Sequence, residues 1–150
     1  CGWMQRRIKM AITIKGISLN DFAREVHVNA VKHGWWEQEA PFAQIIALCH
    51  AELSEALEGE REGNPSIYYI CPDDGQKCKY DGKTTRCGWE DEMPDACKAD
   101  GPQGKAIELA DCILRILDYC NKEGIDIEQA LEIKHEYNQG RPYKHGGKAF

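Results

Sequence analysis

Long apolar runs are missing from this chain: none approaches the roughly 20 residues that a membrane-spanning helix requires, so we predict no membrane span. An excess of positive charge is also missing, because 19 Lys and Arg residues stand against 25 Asp and Glu residues and the net charge is −6. A protein that binds nucleic acid through bulk electrostatics would be basic, so a nucleic-acid polymer is not an expected partner. The chain also lacks internal repeats and low-complexity segments.

No secretory signal is expected, since the basic residues among the first ten are not followed by a long apolar stretch. We therefore expect a cytoplasmic protein. At 150 residues, the chain is most simply one domain, residues 1–150, that is long enough to bury a sizeable hydrophobic core.

Apolar residues at helical spacing predict four helices, two of them in the first half of the chain. Ser18 with Asp21 three residues later resembles a capping box, so the first helix should start there and end at Gly34. Pro41 suits the first turn of the second helix, which should end by Gly63. One side of this second helix is predicted to be apolar: Ile45, Cys49, Leu53, Ala56 and Leu57.

The third helix should begin near Gly104 and run to Tyr119. Asp126 with Gln129 predicts the cap of a fourth helix, which should end by Gly140. The apolar residues of the third helix are Ile107, Ala110, Ile113, Leu114 and Leu117. These patterns predict an all-α fold, an antiparallel bundle of about four helices.

Residues 64–104 differ from the helical segments, because they hold four of the six prolines and the turn signals Asp73-Asp74-Gly75 and Asp81-Gly82. We predict an irregular insert with a short hairpin. It contains four cysteines spaced C-x6-C-x8-C-x9-C, namely Cys71, Cys78, Cys87 and Cys97. The C-x2-C pair of a zinc ribbon is missing, so structural Zn²⁺, disulfides and free thiols all remain open. Cys49, Cys112 and Cys120 fall in helices and should be small buried residues.

Two acidic pairs carry the strongest chemical signal in the sequence. They are Glu52 with Glu55 in the second helix, and Glu108 with Asp111 in the third. The i, i+3 spacing puts each pair on one helix face. Glu52 falls inside the apolar arc, where a carboxylate is costly unless it is paired or bound to metal. Two such helices packed side by side would bring four carboxylates together, and their repulsion favours a hard divalent cation, Mg²⁺ or Mn²⁺.

The acids of the third helix also have a simpler interpretation. They form a polar stripe opposite the apolar residues of that helix: Glu108, Asp111, Arg115 and Asp118. Such a stripe alone would indicate a solvent-facing surface. The combination with the pair on the second helix favours the metal site.

The order of the motifs Glu52-Leu-Ser-Glu55 and Glu108-Leu-Ala-Asp111 resembles the E-x-x-E … E-x-x-D signature of the MazG-like, all-α nucleoside triphosphate pyrophosphohydrolases. The similarity extends to His33-Gly-Trp35-Trp36 and to the C-terminal segment 134–148. It covers residues 18–63 and 104–150, which makes 64–104 an insert between the two metal-binding helices. The chain departs from the family in two ways. Ala51 stands where a further Glu is usual, and 52 residues separate the two motifs, more than the usual short connection of the family.

The resemblance implies hydrolysis of a nucleoside triphosphate to a monophosphate and pyrophosphate by a homodimer or homotetramer. The expected role is nucleotide-pool control. Mg²⁺, or Mn²⁺ in its place, would be held by Glu52, Glu55, Glu108 and Asp111, with Glu55 the favoured general base. The sequence does not specify which base or sugar is preferred. The alternative is a non-catalytic nucleotide-binding or regulatory module with a zinc-stabilised insert.

The basic C-terminal segment is the expected phosphate clamp. Lys134 and Asn138 share a helix face, and Arg141 offers a bidentate fork to phosphate. The competing interpretation is a cationic helix end that complements the helix dipole. Lys144 would close over the phosphates or serve solubility alone. Trp36 would stack on the base or serve as core material.

Overall fold

The computed structural model describes residues 13–14, 16–72, 74–79 and 100–143. This part of the chain is mostly helical, which confirms the all-α character, whereas the bundle arrangement and the oligomer stay predictions. The helices are α1 (Leu19–Lys32), α2 (Phe42–Arg61), α3 (Lys105–Lys122) and α4 (Ile127–Gln139). The strands are β1 (Thr13–Ile14), β2 (Ile17–Ser18), β3 (Tyr68–Ile70) and β4 (Lys77–Lys79). Within the described residues, no helix is long and apolar enough to cross a membrane.

The chain divides into two compact units, each described by itself. The first comprises Cys1–Glu37 and Leu117–Phe150, and the second comprises Gln38–Ile116. The second unit contains α2, the β3–β4 hairpin and the first part of α3, and therefore both acidic motifs.

In the first unit, α1 begins where its capping residues predict. The Ser18 hydroxyl accepts a hydrogen bond from the Asp21 backbone N–H at 3.0 Å and donates to the Asp21 carboxylate at 2.8 Å. The cap of α4 is also confirmed, because the Asp126 carboxylate accepts from the Gln129 N–H at 3.0 Å. A small buried cluster of Leu19, Ala23 and Leu117 forms the apolar centre of this unit.

In the second unit, α2 buries a stripe that includes one acid: Ile45, Cys49, Glu52 and Ala56. The predicted apolar side was wrong at Leu53 and Leu57, which are 46% and 56% exposed. The buried stripe follows a spacing of four and three residues, and each of these leucines lies one position beyond it. On α3, Ile113 is likewise exposed, and the helix ends at Lys122 rather than Tyr119.

The predicted hairpin of the insert is confirmed. β3 and β4 pair antiparallel, with Tyr69 opposite Cys78, and Tyr68 is buried. Tyr68 also exchanges two backbone hydrogen bonds of 2.9 Å with Gln103, which ties the hairpin to the residues before α3. Cys71 and Cys78 are buried on the hairpin, whereas Cys87 and Cys97 lie outside the described residues. Cys71 is a free thiol, which opposes a disulfide at this position, whereas the Zn²⁺ alternative stays a prediction.

Candidate metal centre

Three carboxylates from α2 and α3 converge in the second unit. Glu52, Glu55 and Glu108 each offer one oxygen, and these oxygens lie within 4.8 Å of one another. The spacing on α2 explains the first two, since residues three apart lie on one helix face. The exposure of the three side chains differs: Glu52 is buried, Glu108 is half-buried and Glu55 is exposed.

The environment of Glu108 opposes its negative charge. Burial raises the pKa of the Glu108 carboxyl group above its ordinary value of 4.5, and the neighbouring charges of Glu55, Asp111 and Glu52 raise it further. A hydrogen bond from the Gly104 backbone acts in the opposite direction. The repulsion on which the sequence argument depended is therefore present at this carboxyl group.

The fourth predicted acid, Asp111, is not among the three carboxylates within 4.8 Å of one another. It lies near them, because burial and the charge of Glu52 raise the pKa of its carboxyl group above the ordinary value of 3.8. The positive charge of Arg115 opposes this rise. Asp111 thus belongs to the same electrostatic environment without being part of the tightest group.

Arg115 was named from the sequence only as part of a polar stripe, and its place in this site was missed. Its Nε donates a hydrogen bond to Oε1 of Glu52 at 2.8 Å, and its Nη2 forms an ion pair with the same oxygen at 2.6 Å. Glu52 is only 7% exposed, and a carboxylate buried so deeply needs a partner. The available signal was the position of Arg115 one turn after Asp111, on the same stripe as the acids of α3.

Two thiols lie beside the acidic cluster. The Cys49 thiol lies 3.9 Å from the Cys112 carbonyl oxygen, and both side chains are buried, as predicted. Burial, together with Cys112, raises the pKa of the Cys49 thiol. The charge of Glu52 makes a smaller contribution to the raised pKa, so the Cys49 thiol lies near the buried acid.

The predicted substrate-binding residues belong to the first unit or lie outside the described residues. Lys134 Nζ and Arg141 Cζ lie 5.1 Å and 5.7 Å from the centre of the Tyr137 ring. Asn138 is exposed on the same helix, and Lys144 is outside the described part of the chain. A joint site of these residues with the acids stays a prediction.

Trp36 is held by Asp118, a carboxylate that the sequence placed on the polar stripe of the third helix without assigning it to a site. Its indole N–H donates to both oxygens of Asp118, at 3.0 Å and 3.1 Å. His27 Nδ1 lies 2.6 Å from the same carboxylate, and Lys122 Nζ lies 4.9 Å from the centre of the indole ring. The Trp36 ring is therefore fixed in orientation, whereas its stacking on a base stays a prediction.

Comparisons with protein families, with curated proteins and with solved structures find no match for this chain. The donor chemistry of the site itself fits a hard divalent cation, since all of the converging ligand atoms are carboxylate oxygens. The raised pKa values of Glu108 and Asp111 agree with this fit, because a cation would relieve the repulsion that causes part of the rise.

The raised pKa values predict how stability depends on pH without a divalent cation. Glu108 and Asp111 bind protons more tightly in the folded protein than in the unfolded chain. The free energy of unfolding should therefore fall as pH rises from the ordinary values, 4.5 and 3.8, through the raised ones. Asp111→Asn removes one of these two carboxyl groups. The free energy of unfolding of the variant, relative to that of the wild type, should therefore increase as pH rises over the same range.

We expect the variant to melt at a higher temperature than the wild type at neutral pH, and the difference to shrink towards about pH 4, where the carboxyl group is protonated. Thermal unfolding in a chelator between about pH 4 and pH 8 measures the difference. Equal melting temperatures across the whole range would contradict the prediction.

Proposed function

We propose that this protein hydrolyses nucleoside triphosphates to a monophosphate and pyrophosphate with the help of Mg²⁺ or Mn²⁺. The observation that carries the proposal is the convergence of Glu52, Glu55 and Glu108 within 4.8 Å. The reaction class comes from the order of the two acidic motifs, which resembles that of the MazG-like enzymes. When bound, the ion would supply charge neutralisation and a lowered pKa for an attacking water.

The three carboxylates are suited to different tasks. Glu52 is buried and held by Arg115, so it serves best as a fixed ligand. Glu108 is half-buried, and the repulsion that it experiences favours ligation of a cation. Glu55 is exposed, and a general base must reach the water from which it takes a proton. We therefore retain Glu55 as the proposed general base.

Product analysis tests this function directly. The protein is incubated with Mg²⁺ and a panel of common and modified nucleoside triphosphates, and the products are separated by ion-exchange chromatography. We expect pyrophosphate and monophosphate in equal amounts, and no turnover in a chelator. Release of orthophosphate with a diphosphate would show cleavage of a different bond and would reject the proposal.

The alternative of a non-catalytic nucleotide-binding module has one observation in its favour. Arg115 already neutralises Glu52, and an internal ion pair is what a purely structural buried acid requires. The same panel distinguishes the two functions, because a binding module would bind a nucleoside triphosphate without turnover at any Mg²⁺ concentration.

The clamp around Tyr137 is a further part of the proposal. Lys134 and Arg141 both lie against this exposed ring, so two positive charges are displayed together. If they bind the triphosphate, Lys134→Ala and Arg141→Ala should each raise KM about 10-fold with little change in melting temperature, as the loss of a charge-assisted hydrogen bond would. Glu136→Ala, on the same helix, is the control. Unchanged kinetic constants in both variants would remove these residues from the site.

A further inference from the structure

The ion pair between Glu52 and Arg115 has a geometry that bears on metal binding. Two nitrogens of Arg115 lie close to the same oxygen of Glu52, Oε1: Nε donates a hydrogen bond at 2.8 Å, and Nη2 lies at 2.6 Å. The Glu52 side chain is 9% exposed and that of Arg115 is 27% exposed, so solvent screens the pair only partly. The guanidinium therefore occupies one of the acids that the proposed function assigns to the cation.

The charges of the site show why the pairing of Arg115 with Glu52 affects metal binding. Glu52, Glu55, Glu108 and Asp111 carry four negative charges when ionised, and Arg115 contributes one positive charge at every relevant pH. Arg115 opposes the rise in the pKa of Asp111 as well as pairing with Glu52, so its charge acts on more than one acid. A divalent cation and this guanidinium would be attracted by the same carboxylates and would repel each other.

We propose that Arg115 is an internal counter-ion that competes with the divalent cation for Glu52 and thereby limits the affinity of the site for metal. The inference rests on the proposed function. In the metal-free protein, Arg115 pairs with Glu52 and its positive charge also acts on Asp111. When a divalent cation binds, part of the binding free energy is spent on weakening the interaction between Arg115 and Glu52.

A second ion pair on the same two helices provides a matched control. Lys105 Nζ on α3 pairs with Glu60 on α2, and both side chains are more than one-third exposed. Neither residue belongs to the group of converging carboxylates. Lys105→Gln therefore removes one positive charge and one contact between α2 and α3 without changing the competition at Glu52.

Calorimetric titration with Mg²⁺ at pH 8 tests the inference on the wild type and on the R115Q, R115K, K105Q and E108Q variants. We expect Kd for Mg²⁺ to be about 5- to 10-fold lower in R115Q than in the wild type, within the usual range of coupling between two sites. R115K, which keeps the charge, and K105Q should both stay within about twofold of the wild type. An unchanged or higher Kd in R115Q would overturn the inference.

The E108Q variant distinguishes failure of the inference about Arg115 from failure of the proposed function. If the wild type does not bind Mg²⁺, or E108Q binds it equally well, the metal site and the inference are both rejected. If E108Q loses binding while R115Q matches the wild type, only the role of Arg115 is rejected. Should R115Q fail to fold, the Nε resonance of Arg115 in the wild type decides: it should shift during the Mg²⁺ titration, and an unchanged resonance at saturation would overturn the inference.

Discussion

Replacing Glu108 by Gln should lower Mg²⁺-dependent hydrolysis of a nucleoside triphosphate by about 10²–10³-fold, comparable with the loss of one preorganised electrostatic group in an active site. Gln keeps the size of the side chain but removes the charge, and it replaces one of the three carboxylates that lie within 4.8 Å of one another. Glu55→Gln should have an effect of similar size, since it removes both a ligand and the proposed general base. Steady-state rates of pyrophosphate release at saturating Mg²⁺ measure both.

Glu58→Gln is the matched control for these variants. Glu58 is exposed on α2, one turn after Glu55, and lies outside the converging group. Its replacement should leave the rate within about twofold of the wild type, as for most surface substitutions. Glu108→Gln should be at least as stable as the wild type without metal, because it relieves the repulsion that raises the Glu108 pKa. Full activity in Glu108→Gln, or an equal loss in Glu58→Gln, would contradict the assignment.

A large loss of stability is expected for Gly104→Ala, at the residue before α3. Gly104 has φ +112°, and a Cβ atom there would lie 2.7 Å from the carbonyl oxygens of Pro65 and Ser66. The Ser66 carbonyl also accepts a hydrogen bond from the Ala106 N–H at 3.0 Å, so this close approach is held in place. Backbone strain and overpacking together should cost about 2–5 kcal/mol.

Chemical denaturation measures this loss, and Gly101→Ala is its control. Gly101 also has a positive φ, +75°, but a Cβ atom there would meet nothing within 4 Å. The control should therefore lose only the cost of backbone strain, about 1–2 kcal/mol. Equal losses of stability in the two variants would show that the close carbonyl oxygens of residues 65–66 do not exclude a Cβ atom at Gly104.

The sequence predicted best those features that depend on near neighbours. The caps at Ser18 and Asp126 each require a partner three residues away, and both form as predicted. The burial of Glu52 was also predictable, because its place in the apolar arc of α2 follows from helical periodicity alone. The same periodicity failed at Leu53 and Leu57, since the width of a buried stripe depends on what covers it.

The partners of the buried polar groups could not be predicted with equal success. Arg115 reaches Glu52 across 63 positions of sequence, and His27 reaches Asp118 across 91. Such pairs depend on how helices pack, and helical spacing states only which residues share a face. A buried acid does predict that some partner exists, and Arg115, one turn after the second acidic motif, is a suitable cation for Glu52.

The central claim is that Glu52, Glu55 and Glu108 together hold a divalent cation. Crystals soaked in Mn²⁺ and measured at the manganese absorption edge test it most directly, because anomalous scattering identifies the ion and its position. We predict an anomalous peak with an oxygen of each of these three carboxylates at about 2.0–2.2 Å, near the distance at which Mg²⁺ binds oxygen. Full Mn²⁺ occupancy elsewhere with no peak between α2 and α3, or no peak at all at saturating Mn²⁺, would contradict the claim.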